Sequence, residues 1–322
     1  MDKVIRIGTR ESQLAVWQAT QVQQLLQQYN FSSELVFIKS EGDIDLQTPL
    51  YEMGVQGIFT KSLDIALLNN KIDIAVHSMK DVPTQLAKGI VQAAVLKRAS
   101  YKDLLVYKGE LSVIGDQLGY QNNEWSSSSL ITHHQSLTIA TSSIRRKAQW
   151  LNRFPNHKLE NLRGNVNTRL RKVEESSWQG AIFAAAGLER INLRPANSIE
   201  LDWMLPAPAQ GAIMVVCREE DGFCMDACEN FNHSDTALCT KIERDFLRKL
   251  SGGCSTPISA LTVIENNKLI FKGSLLSVDG KEKVEVEKHA DTFTGFDLGT
   301  KAAIHVLENG GQKIIDGIHA AK

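Results

Sequence analysis

The chain has 322 residues, long for one hydrophobic core, so two or three domains are expected. With 43% apolar residues and 36 basic against 37 acidic side chains it has a soluble globular balance, and apolar runs such as Ala181–Ala186 and Ala212–Cys217 fall far short of a membrane span. The opening Met-Asp-Lys-Val-Ile-Arg-Ile enters a strand without a secretory apolar stretch, and five cysteines form no disulfide framework; a cytoplasmic protein with no membrane partner is expected.

Val4–Ile7 reads as a strand that breaks at Gly8-Thr9-Arg10-Glu11-Ser12 into a helix through Leu14, Trp17, Val22, Leu25 and Leu26. Leu35–Ile38 is a second strand, Phe59 to Leu68 has helical spacing, and Ile72–Val76 is a buried strand. That strand runs into His77-Ser78-Met79-Lys80-Asp81-Val82-Pro83, where Pro83 cannot continue a ladder. Gly115–Gln135, rich in Ser, Asn and Gln, reads as an exposed loop or insertion.

The pattern then repeats. Leu137–Ala140 is a strand ending at Thr141-Ser142-Ser143, where a helix would begin; Leu159–Leu162 leads through Arg163-Gly164-Asn165 into a helix from Val166 to about Glu175; Ala181–Ala185 ends at Gly187. Open α/β sheets bind ligands at such strand ends. Pro206 and Pro208 mark an irregular crossing, after which Ala212–Cys217 is again a strand. The last hundred residues differ: a helix Lys241–Leu250, strands near Ile258–Val263, Leu269–Leu276 and Lys283–Glu287 with turns at Asn266-Asn267 and Asp279-Gly280, and a helix from Asp297 to about Glu308. This is the signature of a small α+β domain with an antiparallel sheet.

Three features could do chemistry. Between Thr141 and Lys172 lie nine Lys/Arg and one acid, Glu160, in a chain whose net charge is −1. Six of the nine are arginines, whose planar fork matches carboxylates and phosphates, so the stretch predicts a ligand with several negative groups, nucleic acid or a small polyacid. The alternative is a solvated basic face. Lys80-Asp81 closes an apolar strand, and Asp81 is either a salt-bridged structural residue or a base or counter-ion in a cleft. Among so many cations it should stay ionised, which suits stabilising a transient positive charge. Cys254 follows Gly252-Gly253, which free the backbone to present a thiol, and His77 is either its base or a buried structural histidine. Cys217, Cys224, Cys228 and Cys239, with His233, lack the C-x2-C spacing of zinc sites and are expected to be buried thiols, with no metal.

Several strings occur in order over nearly the whole chain: Arg10 with Ser12; His77 to Pro83; Thr141-Ser142-Ser143-Ile144-Arg145-Arg146; Leu162-Arg163-Gly164-Asn165-Val166; Ala186-Gly187-Leu188 with Arg190; Pro206-Ala207 with Gln210-Gly211; and Gly252-Gly253-Cys254 with Pro257. Together they resemble the porphobilinogen deaminase (hydroxymethylbilane synthase) family. The resemblance implies an α/β fold of two periplasmic-binding-protein-like lobes joined by two crossings, plus the small C-terminal domain. The expected division is residues 1–99 with 203–221, residues 100–202, and residues 222–322. It implies a transferase that joins four porphobilinogen units head to tail, losing ammonia from each, into the linear tetrapyrrole hydroxymethylbilane. It also implies a dipyrromethane cofactor held on Cys254 through a thioether, and a monomer with no nucleic-acid partner. Carried over residue by residue, Asp81 is catalytic. Lys80, Ser78, Thr141, Ser142, Ser143, Arg145, Arg146, Arg163, Arg169 and Gln210 are expected around the cofactor, and Arg10, Ser12, Phe59 and Arg190 around the substrate. The chain departs from the family where lysines are usual: Gln56 stands within Gly54–Phe59 and Glu52 precedes it.

Two other classes compete. A two-lobed solute-binding protein would need neither Cys254 nor the third domain. A nucleic-acid binder would use the basic stretch, but only Trp150 and Phe154 supply aromatic rings within it.

Overall fold

The computed structural model describes residues 3–39, 60–126, 136–250 and 256–320. In chain order its strands are β1 (Ile5–Thr9), β2 (Ser33–Phe37), β3 (Ile74–Ser78), β4 (Ile90–Val95), β5 (Asp103–Tyr107), β6 (Tyr120–Gln121), β7 (Glu124–Trp125), β8 (Thr138–Ala140), β9 (Lys158–Glu160), β10 (Gly180–Ala184), β11 (Ser198–Glu200), β12 (Ile213–Arg218), β13 (Ile258–Glu265), β14 (Lys268–Leu276) and β15 (Lys283–Asp291). They form two five-stranded α/β sheets, a three-stranded antiparallel sheet and the small hairpin β6–β7.

The two large sheets have the same plan. The first runs β2-β1-β3-β12-β4 and the second β9-β8-β10-β5-β11. In each, three neighbouring strands are parallel, and the fourth in the row is antiparallel to both its neighbours. That fourth strand is the one delivered by a crossing: β5 follows the first crossing out of β4, and β12 follows the second crossing out of β11. Each lobe is therefore completed by a strand that arrives from the other. Both faces of each sheet are covered, as parallel strands require, with Ile5, Ile7, Ala19 and Val215 on one side of the first sheet and Leu63, Ile72, Met79 and Val216 on the other.

The crossings touch. Ala99 N–H donates to Gly211 C=O at 3.1 Å, and Arg98 Nε donates to Gln210 C=O at 2.8 Å. Gly211 has φ +87°, and a Cβ there would sit 2.7 Å from the carbonyl oxygens of both Ala99 and Ser100, so a side chain is excluded twice over. Two residues earlier, buried Ala209 also adopts a left-handed φ of 61°, at a cost of roughly 1–2 kcal/mol for an L-residue. Its N–H donates to Glu243 Oε2 at 2.6 Å, which helps hold that conformation. Glu243 is fully buried on the helix Ser234–Lys249. It also accepts from Arg98 Nη1 at 2.6 Å and from Thr262 N–H at 2.7 Å. One carboxylate thus binds both crossings to the C-terminal sheet, and its removal would leave the half-buried Arg98 guanidinium without its carboxylate.

Several expectations need adjustment. Gly115–Gln135 is not simply a loop: Gly115 lies in the helix Leu111–Leu118, and Tyr120 and Trp125 pair across β6–β7. Asn122 and Asn123 both have positive φ, the requirement of a type I′ hairpin turn, and Trp125 Nε1 donates to Glu200 C=O at 2.7 Å. Residues 127–135 of that segment lie outside the described residues. The helix expected at Lys241–Leu250 begins seven residues earlier, at Ser234, because His233 caps it by accepting the Thr236 N–H on Nδ1. The helix Gly222–Glu229 packs Cys224, Ala227 and Cys228 into the core of the first sheet, beyond the boundary at 221 read from sequence. A second C-terminal helix, Gln312–Ala320, was not anticipated.

Candidate active site

The carboxyl ends of β1 and β3 face the second lobe. After β1, Ser12 caps the helix Gln13–Gln28 by accepting the Ala15 N–H, with Arg10 half-buried beside it. After β3, Ser78 exchanges hydrogen bonds with Gln18, whose Nε2 donates at 2.9 Å. The chain then makes a single 3-10 turn, Met79–Asp81. Met79 and Val82 are buried on its core side, Lys80 is half-buried, and Asp81 is exposed. His77, one residue back, is buried with Nε2 lacking an acceptor; burial, aided by the Arg10 charge, pulls its pKa down to about 4. The buried imidazole is thus held in its neutral form, and Cys254, for which it is the candidate base, lies outside the described residues.

The second lobe contributes three strand ends. Past β8, Ser143 caps the helix Ile144–Arg153, and Ser142 Oγ accepts the Leu162 N–H at 2.8 Å. Buried Thr141 accepts the Ser143 N–H on Oγ1 at 3.2 Å. Past β9, Asn165 caps the helix Val166–Glu175, and Arg169 Nε donates to Gly164 C=O at 2.7 Å. Past β10, Arg190 reaches back to the first lobe. Its Nη2 donates to Gly211 C=O at 2.7 Å while the guanidinium lies 5.7 Å from the Trp17 ring centroid.

The basic stretch does not form one face. Arg145 and Arg146 point inward onto Asp103, the first residue of β5, which is wholly buried. Arg145 Nη1 lies 2.8 Å from Asp103 Oδ2, and Arg146 donates to Oδ1 through Nη2 at 2.7 Å and Nε at 3.1 Å. Arg163 is also buried and Arg169 half-buried. By contrast Arg171 is two-thirds exposed near Glu175, and Arg153 sits among Trp125, Phe154 and Trp203. Composition could not make this division; helix phase and strand ends do.

Asp103 went unnoticed in the sequence, although an acid opening the apolar run Leu104–Val106 was a usable signal. Burial alone would raise its carboxyl, but the two guanidiniums hold it well below the usual range. Gln210, also buried, extends the network. Its Nε2 donates to Asp103 Oδ1 at 2.9 Å and to Tyr101 C=O at 2.7 Å, and its Oε1 accepts from Lys80 Nζ at 3.3 Å. A continuous polar path therefore runs from Lys80 through Gln210 and Asp103 to the arginine pair, across both crossings.

Burial weighs on several of these cations. Burial lowers Lys80 to about 8 despite Asp81 beside it, and lowers Arg169 to about 10, with Arg146 adding to the fall and Asp81 opposing it. Arg190 falls to about 10 for the same first reason. Arg145 Nε is a buried donor without an acceptor among the described residues. Such a site stabilises an anion with several carboxylates. The donor set fits a dipyrromethane, whose side chains are acetate and propionate. Cys254 and Phe59 lie outside the described residues. The thiols of Cys217, Cys224, Cys228 and Cys239 are buried, and burial raises all four. No group of three or more His, Cys, Asp or Glu among the described residues is placed to hold a metal.

Comparison with known proteins agrees with the strings noted in the sequence. Residues 5–226 match the family model described as porphobilinogen deaminase, dipyromethane cofactor binding domain, and residues 237–308 match its C-terminal domain. Porphobilinogen deaminase of Desulforamulus reducens is 36% identical over 326 residues, covering 100% of both chains. That of Syntrophotalea carbinolica is 38% identical, covering 97% of this chain and 95% of its own. A probable porphobilinogen deaminase of Methanocaldococcus jannaschii is 41% identical, over 84% of this chain and 86% of its own. Solved structures overlap loosely: the methionine-binding protein MetQ, 15% identical, covers 70% of this chain and 87% of its own at a TM-score of 0.41, which carries no argument. Its sequence therefore places this chain, over nearly its whole length, in the porphobilinogen deaminase family.

Proposed function

We propose that the cation-lined cleft between the two lobes is where this member of the family condenses four porphobilinogen molecules head to tail, releasing one ammonia per unit, into hydroxymethylbilane. The observation that carries the reading is the exposed Asp81 carboxylate on the same turn as half-buried Lys80, acting electrostatically on the Arg169 guanidinium of the second lobe. When bound through a thioether to Cys254, the dipyrromethane cofactor supplies the terminal pyrrole carbon to which the first unit is joined.

The chain's own residues have separable tasks. Arg10, Arg163, Arg169 and Arg190 bind acetate and propionate groups, and Arg145 contributes the Nε that has no acceptor among the described residues. Arg146 already uses Nε and Nη2 on Asp103 and Nη1 on Ile182 C=O, so its contribution is charge more than new hydrogen bonds. Ser142 and Ser143 accept backbone N–H groups on Oγ, which leaves their O–H free to donate to a carboxylate. Thr141, Ser12, Ser78 and Gln210 order the strand ends that carry them. Asp81 stabilises the positive charge that develops on porphobilinogen as the carbon–nitrogen bond breaks, and accepts protons from pyrrole N–H groups. Phe59 and the Gly54–Gly57 segment are assigned to the substrate side on the family resemblance alone. The sequence division into residues 1–99 with 203–221, 100–202 and 222–322 is the working domain scheme, with residues 222–229 packing on the first lobe. No helix among the described residues is long and apolar enough to cross a membrane. We further propose a monomeric cytoplasmic enzyme.

Intact mass spectrometry of the purified protein tests this reading. The mass should exceed that of the sequence by two linked pyrrole units, and acidic aldehyde reagent should colour the denatured protein. Cys254→Ser should abolish both signals, whereas Asp81→Ala should keep the pigment and lose turnover. Fully active enzyme with position 254 unmodified would overturn the assignment.

A further inference from the structure

The turn that carries Lys80 and Asp81 is held from behind by a residue of the C-terminal region. Arg244 lies on the helix Ser234–Lys249 and is buried. Its Nη1 donates to Val82 C=O at 2.9 Å and reaches Met79 C=O at 3.4 Å, and its Nη2 donates to Pro83 C=O at 2.5 Å. Among the described residues all its hydrogen-bond acceptors are these three carbonyls. The neighbouring Asp245 instead takes Lys241 at 2.6 Å and Arg248 at 2.6 Å. The result is a buried cation that hydrogen-bonds no carboxylate among the described residues; burial, with Arg248 adding to it and Asp245 opposing, lowers its pKa to about 10.

Such an arrangement costs desolvation energy, and its yield is geometric. A 3-10 turn followed by Pro83 has few internal hydrogen bonds: Met79 N–H goes to Ala212 C=O and Val82 N–H returns to Met79 C=O. The carbonyls on either side of Lys80-Asp81 are the ones a planar guanidinium collects, and a guanidinium fixes their relative directions as an ammonium would not. The helix that bears Arg244 reaches Leu250, only four positions in sequence before Cys254.

We propose that Arg244 is a positioning residue for the reaction, setting the direction of the Asp81 carboxylate through the peptide planes of residues 79–83. The proposal rests on the reading of Asp81 given above. It adds that this carboxylate is aimed by the C-terminal region and not by its own lobe alone. Arg244 spends its hydrogen bonds on these backbone carbonyls behind the turn, so its loss should leave carboxylate binding unchanged.

The test uses cofactor-loaded enzyme, with loading verified by intact mass, and the variants Arg244→Met, Arg244→Lys, Asp81→Asn and the Asp81→Asn/Arg244→Met double. Arg244→Met should lower kcat by about 30–100-fold with KM within about threefold, the scale of a misplacement near 1 Å. Arg244→Lys should recover part of the rate. The double variant should be no slower than Asp81→Asn alone, because both changes remove one function. If Arg244→Met fails to fold, Arg244→Lys decides, with about a threefold to tenfold loss in kcat expected at constant KM. An unchanged kcat, a loss confined to KM, or losses that multiply in the double variant would overturn the proposal. Wild-type turnover in Asp81→Asn would instead remove the reading of Asp81, and the positioning role with it.

Discussion

The two lobes are built to one strand order, yet their strand ends carry opposite charges. In the first, the third parallel strand ends in a turn that exposes a carboxylate, Asp81. In the second, β8 and β9 end at Ser142, Ser143, Arg163 and Arg169, hydroxyls and cations, and the equivalent third strand, β10, leads to Arg190. The shared topology supplies the strand ends, and the residues at those ends would divide the labour in the function proposed above. What differs most is how each side is secured. The aspartate turn is gripped from outside its lobe by Arg244, whereas the arginine pair is anchored within the second lobe by Asp103.

That contrast can be broken at its strongest point first. Asp103→Ala leaves two buried guanidiniums without their carboxylate and should cost on the order of 3–5 kcal/mol in urea unfolding of the cofactor-free protein. A loss below about 1 kcal/mol would mean that the pair is not anchored as described. The first lobe is sharpened by pH. Lys80, depressed to about 8 by burial, is charged below that pH and neutral above it. KM for the anionic substrate should therefore rise several-fold between about pH 7 and 9, and Lys80→Arg should flatten the rise. In the unfolded chain the same amine keeps its proton up to about pH 10.4. Folding releases that proton between these two values, so this residue's contribution to stability grows as pH rises through the window. A flat KM profile in the wild type would separate Lys80 from substrate binding. The smallest effect belongs to Arg171, which shares the basic run but faces solvent. Arg171→Ala should change stability by less than about 0.5 kcal/mol and leave turnover intact.

Much of the fold was legible because its signals are local. Apolar runs located β1, β3, β8, β10 and β12 to within two residues at each end, and Asn266-Asn267 marked the β13–β14 turn with the two positive φ values such a turn needs. Strand length did not decide which were found, since the three-residue β8 was located. Ile90–Val95, Asp103–Tyr107 and Ser198–Glu200 were not identified; Asp103–Tyr107 is placed by pairing with β10, and Ser198–Glu200 by pairing with it in turn. The asparagine pair at 122–123 was the same hairpin signal in a polar setting that disguised it.

The sequence by itself determined the family, the strand-end motifs, and the helix caps at Ser12, Ser143 and Asn165, because each depends on residues within a few positions of one another. It also placed the excess of arginine. Only the tertiary structure decided that Arg145 and Arg146 meet Asp103 while Arg171 meets water, that Gln210 links Lys80 to that acid, and that Arg244 holds the aspartate turn from 162 positions away along the chain. A charge has no partner until the chain closes on itself. Burial then makes the choice of partner matter, since an unpaired group away from water carries a cost that the same group at the surface does not.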